Sequence, residues 1–164
     1  MGRSRTVARD EPIANYREPV VSKARIRQMR FAGFKRCLFP EVQFESDGER
    51  RFAMLLEDSQ DLDVRWFRPG KADVRIYWSA DRQYQPDFIV ETTTHRVVVE
   101  IKDPDEVDSV EVQAKARAST EWCVHASAHA SEHGGKPWRY LLIPDEAVLY
   151  TATIDGMVAR YGSS

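Results

Sequence analysis

The sequence predicts an α/β fold in which helices cover both faces of a mixed central β-sheet. Segments rich in β-branched and aromatic residues predict five strands, at 64–67, 73–78, 84–91, 96–102 and 138–143. A capped helix precedes these strands, and a long helix separates the last strand from the others. The order helix, several strands, long helix, strand is typical of a layered α/β domain.

Length and composition fit one globular domain. The 164 residues are 42% hydrophobic and 30% charged, which is ordinary for a folded protein. Residues 1–19 are polar and predict a flexible basic lead-in, so we place the folded domain at 20–164. No apolar run approaches the roughly 20 residues that span a bilayer, and no secretory signal is recognisable. We therefore expect a cytoplasmic protein without a membrane partner.

Sequence signals mark the helices. Residues 20–31 predict a short helix. Ser46 followed by Glu49 forms a capping-box pattern that predicts a helix over 47–58. Pro104 suits the entrance of a long helix that ends at Gly134.

The hairpin formed by 84–91 and 96–102 carries the chemistry. With its turn centred on Thr93 and Thr94, Asp87 faces Glu100 across the two strands. Alternation then gives one wholly apolar face and a second face with an acidic end. The first holds Phe88, Val90, Val97, Val99 and Ile101; the second holds Ile89 and Val98, followed by Asp87, Glu100 and Lys102.

Two opposed carboxylates repel each other, and burial raises the cost. A divalent cation between Asp87 and Glu100 would replace this repulsion with ligation, and oxygen ligands favour Mg²⁺, with Mn²⁺ as a substitute. Lys102 would orient a water molecule or offset phosphate charge. The alternative is a solvated strand end with an Asp87–Lys102 salt bridge.

A wider set of motifs adds to this interpretation. Pro86-Asp87, twelve intervening residues and Glu100-Ile101-Lys102 resemble the signature of PD-(D/E)XK nucleases. Further blocks resemble the C-terminal endonuclease region of type III restriction enzyme Res subunits and related helicase-nucleases. They cover about residues 20–155 in the family's order: GFKRCLFP, FESDGERRFAMLLE, VRWFRP, YQPDFIVET, VEIK, VQAKARASTEWC and GGKPWRYLLIP.

This resemblance implies a restriction-endonuclease-like core and Mg²⁺-dependent hydrolysis of DNA phosphodiester bonds. Asp87 and Glu100 would ligate the metal, with the Ile101 carbonyl as a further ligand, and Lys102 would activate or orient the attacking water. Glu49 matches an acidic residue on the first helix of such nucleases, which helps to hold metal or water. Its capping-box position is an equally good explanation.

Res subunits carry an ATP-driven motor that this sequence lacks, since it contains no GxxxxGK[ST] loop. We therefore expect a separate helicase/ATPase partner in a restriction or anti-phage defence system. The sequence is also compatible with a homo-oligomer. One alternative is a transposition or repair nuclease of the same fold. Another is a non-catalytic DNA-binding or assembly module.

Candidate DNA contacts come from two segments. Residues 1–36 carry a net charge of +7, whereas the remainder carries −9, which predicts a basic patch beside an acidic body. Lys23, Arg27, Lys35 and Arg36 are its candidate phosphate contacts, with a solvated basic tail as the alternative. On the long helix, Lys115 and Gln113 are candidates, although Lys115 has Glu111 as a simpler surface partner.

Overall fold

The computed structural model describes residues 13–163. Four helices and two 3₁₀ segments alternate there with ten short strands. The strands are β1 Ile13–Asn15, β2 Arg30–Ala32, β3 Glu41–Val42, β4 Arg65–Phe67, β5 Ile76–Tyr77, β6 Gln83–Tyr84, β7 Phe88–Glu91, β8 Arg96–Lys102, β9 Trp138–Pro144 and β10 Gly162–Ser163. The helices are α1 Asp47–Glu57, α2 Pro104–Val107, α3 Val110–Glu132 and α4 Ile154–Tyr161, and the 3₁₀ segments are Lys23–Gln28 and Asp145–Ala147.

The predicted mixed sheet is confirmed. Its five strands, counted within residues 13–163, run in the order β10-β9-β8-β7-β4. Strands β8 and β9 are parallel, and the other neighbours are antiparallel. A β1-β2-β3 sheet and a β5-β6 hairpin lie beside it.

Both faces of this sheet are buried under helices, as predicted. On one face, Phe52 of α1 and Met157 of α4 join Phe88 and Val99 in the larger apolar core. On the other face, Cys123 of α3 packs in a smaller core with Ile76, Tyr84, Ile89, Val98 and Tyr140. The apolar residues on the two faces are divided as the alternation of the hairpin predicts.

The register of the β7–β8 hairpin is confirmed from Glu91 opposite Arg96 to Phe88 opposite Val99. The strand predicted over 84–91 is nevertheless split. Pro86 has no N–H for a ladder hydrogen bond, and the preceding Tyr84 pairs with Ile76 in the separate β5–β6 hairpin. The strand predicted at 73–78 shrinks accordingly to the two residues of β5.

The N-terminal segment differs from its prediction. Residues 1–12 of the predicted lead-in lie outside the described residues, whereas Ile13–Asn15 forms β1 and pairs with β2. The helix predicted over 20–31 is reduced to the 3₁₀ segment Lys23–Gln28, whose buried residue is Ile26. Phe31, fully buried, belongs instead to β2 and pairs with Val42, because sheet pairing buries it where a short polar helix would not.

The long helical region consists of two capped helices. The Asp103 side chain accepts from the Asp105 N–H at the start of α2, and the Ser109 hydroxyl accepts from the Val112 N–H at the start of α3. Helix α3 ends before Gly134, whose φ of 71° is the left-handed conformation that glycine adopts easily. None of the helices in the described part of the chain has the length and apolarity needed to cross a bilayer.

Candidate functional site

A cleft of about 300 Å³ opens at the end of the β7–β8 hairpin away from its turn. The start of α1, the end of β8, α2 and the segment after β9 contribute its walls. Its lining residues are Arg27, Glu45, Ser46, Glu49, Asp87, Ile101, Lys102, Asp103, Glu106 and Asp145. The structure therefore brings five predicted site residues to one cleft, namely Arg27, Glu49, Asp87, Ile101 and Lys102; the predicted Glu100 is not among its lining residues.

Asp87 is held by backbone contacts to β8. Its N–H donates to the Val99 carbonyl at 3.0 Å, and its carboxylate accepts from the Ile101 N–H at 2.9 Å. Burial raises the pKa of Asp87 well above its usual range, and the charges of Glu100 and Glu49 raise it further. Glu100 belongs to β8 and Glu49 to α1, so carboxylates from different elements lie close to Asp87.

Glu100 lies in the middle of this charged cluster, with a residue exposure of 6%. The Tyr84 hydroxyl donates to its Oε2, and the Lys102 Nζ lies 3.2 Å from its Oε1. Burial raises the pKa of Glu100, although the Tyr84 hydrogen bond and Lys102 oppose that effect. Lys102 thus pairs with Glu100, whereas the simpler sequence interpretation paired it with Asp87.

The pKa of Lys102 is raised from its ordinary value. Partial burial opposes the charge on its ammonium, but Glu100 and Asp87 outweigh that effect. Lys102 consequently remains a cation at neutral pH. It is half-buried, with 30% of its side chain exposed at the cleft.

Glu49 has a dual role in the structure. Its N–H donates to the Ser46 hydroxyl at 3.2 Å, which confirms Ser46 as the cap of α1. The Glu49 carboxylate, however, accepts from the Glu45 N–H and lies 2.7 Å from the Arg68 guanidinium. Helix capping therefore accounts for the Glu49 N–H, while the Glu49 carboxylate is shared between the backbone just before α1 and Arg68 at the cleft.

Sequence reasoning missed Arg68 and Tyr84 as members of this site. Arg68 follows β4, and its guanidinium lies over the rings of Phe44 and Phe88, at 5.6 and 5.5 Å. Its place in the turn RPGK gives no signal of a contact with Glu49. The sequence predicted one continuous strand carrying both Tyr84 and Asp87. The break at Pro86 was not expected, and neither was the contact of Tyr84 with Glu100.

The basic N-terminal candidates separate into two groups. Arg27 lines the cleft, its Nε donates to the Glu45 carbonyl at 3.0 Å, and 73% of its side chain is exposed. Lys23 is equally exposed and lies 3.5 Å from Asp47. Arg27 therefore presents an exposed guanidinium at the cleft, and Lys23 presents an exposed ammonium at the start of α1.

The other two basic candidates lie elsewhere. Lys35 is exposed, and its N–H donates to the Glu57 carboxylate. Arg36 is half-buried and donates to carbonyls of Leu56, Ser59 and Asp61 beyond the end of α1. The Arg36 guanidinium thus stabilises the chain that follows α1 through these hydrogen bonds. Neither Lys35 nor Arg36 lines the cleft.

Lys115 and Gln113 of α3 have local partners. The Lys115 Nζ lies 2.9 Å from Glu111, which is the simpler sequence interpretation, and also over the rings of Trp78 and Tyr84. The Gln113 amide donates to the Val107 carbonyl at the end of α2. Neither side chain lines the cleft, although Lys115 reaches the tyrosine that contacts Glu100.

The donor chemistry fits a hard divalent cation. No set of three or more His, Cys, Asp or Glu side chains within residues 13–163 forms a metal cluster by itself, so a site here depends on fewer acids. Asp87 and Glu100 supply carboxylate oxygens, and Ile101, whose carbonyl is the further candidate donor, lines the same cleft as Asp87. Burial is the largest cause of the raised pKa values of Asp87 and Glu100, and neighbouring carboxylates add to it. Oxygen donors of this kind favour Mg²⁺ or Mn²⁺.

The arrangement is that of a two-carboxylate, one-amine site at the end of a buried hairpin. Comparison of the chain with protein-family models, with curated proteins and with solved structures gives no match.

Proposed function

We propose that this protein is a metal-dependent DNA endonuclease with a restriction-endonuclease-like core. The observation that carries the proposal is the meeting of Asp87, Glu100 and Lys102 at one end of two paired strands, beside an open cleft. A folding requirement does not explain this meeting, because crowded carboxylates destabilise a buried strand end.

In this proposal, Asp87 and Glu100 hold Mg²⁺ together with the Ile101 carbonyl. The bound ion would supply Lewis-acid stabilisation of the phosphate and lower the pKa of the attacking water. Lys102, kept cationic by its acidic neighbours, donates hydrogen bonds to water or phosphate rather than accepting a proton. Glu49, fixed by Arg68, orients water on the side of α1.

The charge of the cleft bears on the order of binding. Its lining includes six acidic residues and two cations, Arg27 and Lys102. A phosphodiester backbone is repelled by such a lining until a divalent ion offsets the charge. Metal is therefore expected to enter first, and the exposed side chains of Arg27 and Lys23 would then contact flanking phosphates.

The biological setting that we propose is restriction or anti-phage defence with a separate helicase/ATPase partner. It rests on the family resemblance alone. A search for proteins that co-purify with the native chain addresses it: a helicase supports this setting. Cutting confined to transposon ends or branched DNA would instead favour transposition or repair.

The activity is tested by nicking of supercoiled plasmid with Mg²⁺ or Mn²⁺, with and without any co-purifying motor. We expect Asp87→Ala and Lys102→Ala each to reduce nicking roughly 100-fold or more, because the first removes a proposed metal ligand and the second removes the cation that contacts water or phosphate. Lys136→Ala is the matched control: it removes a lysine with a similar exposure, 36%, at the other end of the hairpin. Equal cutting by the wild type and by both site variants would reject the nuclease assignment.

Calorimetric titration with Mn²⁺ separates the nuclease from a non-catalytic DNA-binding module. The nuclease binds Mn²⁺, and Asp87→Asn weakens that binding. DNA binding without any Mn²⁺ binding, unchanged in Asp87→Asn, would identify the module instead.

A further inference from the structure

The hydroxyl of Tyr84 contacts Glu100 from outside the predicted motif. We infer that Tyr84 is a positioning residue, which fixes the Glu100 carboxylate in the orientation that a divalent metal requires. The inference rests on the proposed function, since it assigns Glu100 to metal binding. It adds to that function a residue 16 positions away in sequence and on a different hairpin.

The contacts of Glu100 hold its carboxylate at both oxygens. Tyr84 donates to Oε2, while the Lys102 ammonium lies 3.2 Å from Oε1. Lys102 is a flexible, partly exposed chain, whereas the Tyr84 ring has two torsions and is 3% exposed. The hydroxyl of Tyr84 is therefore the more rigid of the two restraints on the orientation of Glu100.

The position of Tyr84 is set independently of the strand that carries Glu100. Tyr84 pairs with Ile76 in the β5–β6 hairpin and packs in the smaller core under α3. The Lys115 Nζ lies 5.9 Å from the centre of its ring and 5.3 Å from that of Trp78, within the range of cation–π attraction. A separate hairpin and a helix thus place the hydroxyl that restrains the carboxylate on β8.

Groups that hold a metal ligand in place contribute to metal affinity, and their removal typically weakens binding 10–100-fold. Tyr84→Phe removes the hydroxyl and keeps the ring, so the packing of the smaller core is preserved. We expect its dissociation constant for Mn²⁺ to rise about 10–100-fold. The half-saturating Mg²⁺ concentration for nicking should rise in parallel, and saturating Mg²⁺ should restore most of the turnover.

Tyr140→Phe is a matched control. It makes the same change in the same core, where the buried Tyr140 hydroxyl lies near the Tyr84 hydroxyl but, among the described residues, donates no hydrogen bond to Glu100. We expect its Mn²⁺ affinity to stay within about twofold of the wild type, because Glu100 keeps the hydrogen bond from Tyr84. Thermal unfolding and circular dichroism of both variants verify that the fold is retained.

Calorimetric Mn²⁺ titration of the three proteins decides the inference. A selective loss in Tyr84→Phe supports it. Equal affinity of Tyr84→Phe and wild type overturns it, and so does an equal loss in both tyrosine variants, since that outcome reports core packing alone. Turnover of Tyr84→Phe that excess Mg²⁺ fails to restore also contradicts a positioning role. Absence of Mn²⁺ binding by the wild type refutes the proposed function itself, so the two failures are distinguishable.

Discussion

Carboxylates at the two ends of the β7–β8 hairpin have pKa values that are shifted in opposite directions. At the turn end, Glu91 lies 3.1 Å from the Arg96 Nε and 3.4 Å from the Lys136 Nζ. Partial burial opposes its ionisation, but these two cations outweigh that effect and lower the pKa of Glu91. At the open end, the pKa values of Asp87 and Glu100 are raised.

The two ends of one pair of strands thus differ in how their carboxylates are compensated. Both ends belong to the same ladder and need the same backbone pairing, so folding does not require carboxylates to crowd at either. The turn end places cations around its acid, whereas the open end brings Glu49, Asp87 and Glu100 together beside a cleft. Perturbed acids in a cleft are typical of functional sites, where local destabilisation serves binding or catalysis.

The largest expected effect follows from making the same substitution at each end. On the proposed function, Glu100→Gln should reduce plasmid nicking by about 100-fold or more, because the amide lacks the negative charge that the proposed metal site requires. Glu91→Gln should leave nicking within about twofold, since Glu91 lies at the opposite end of the hairpin. Nicking rates at saturating Mg²⁺ provide the comparison, and equal losses would show that the two ends are functionally alike.

The second effect concerns Arg68, the cation paired with Glu49 at the open end. Arg68→Ala leaves the Glu49 carboxylate, 3% exposed, without its ion-pair partner. We expect a loss of about 2–3 kcal/mol in the free energy of unfolding, at the low end for a broken buried pair because Arg68 is 20% exposed. Urea titration measures it.

An exposed ion pair gives the control for Arg68. Arg17 pairs with Asp58, and their side chains are 52% and 45% exposed, so Arg17→Ala should cost less than about 1 kcal/mol. Adding Glu49→Gln to Arg68→Ala should recover part of the stability, because the uncompensated charge disappears. Equal losses for the two arginines would mean that Glu49 is not buried as the structure describes.

Sequence reasoning predicted the register of the hairpin because its signals are local. A short turn and strict alternation of side chains determine the register, so the pairing from Phe88–Val99 to Glu91–Arg96 follows from the strand sequences alone. The cap of α1 is also local, because Ser46 and Glu49 are three residues apart. Local sequence signals are therefore sufficient to predict the hairpin register and the cap of α1.

The contacts that complete the site depend on tertiary structure and could not be predicted in this way. Arg68 contacts Glu49 across 19 residues of chain, and Tyr84 contacts Glu100 from the separate β5–β6 hairpin. The same limit applies to Ile13–Asn15 and Phe31, whose strands exist through pairing with distant segments. Neither composition nor periodicity reports such pairings.

A third effect is a gain in stability on removing charge from the open end. Asp87→Asn keeps an oxygen that can accept from the Ile101 N–H and removes one of three crowded negative charges. Without divalent metal at neutral pH, we expect the variant to be more stable than the wild type by about 1 kcal/mol. Urea titrations in a chelator measure the difference.

The pH dependence of this gain follows from the raised pKa of Asp87. A carboxyl whose pKa is higher in the folded state stabilises the fold below its unfolded value, about pH 4, and loses that contribution as pH rises through the folded pKa. The difference between Asp87→Asn and wild type should therefore be small in acid and widen toward neutral pH. A gain that is constant with pH would contradict the charge crowding.

The smallest expected effect is that of Glu91→Gln at the turn end, which should lower the free energy of unfolding where Asp87→Asn raises it. The lowered pKa of Glu91 means that its ionised form stabilises the fold above the unfolded value near pH 4.5, and that this contribution is lost as pH falls through the folded pKa. Because 37% of the side chain is exposed, solvent screening limits the contribution to less than about 1 kcal/mol. Glu91→Gln should thus lower stability slightly at neutral pH and match the wild type in acid. Urea midpoints that instead rise with Glu91→Gln at neutral pH would remove the electrostatic distinction between the two ends of the hairpin.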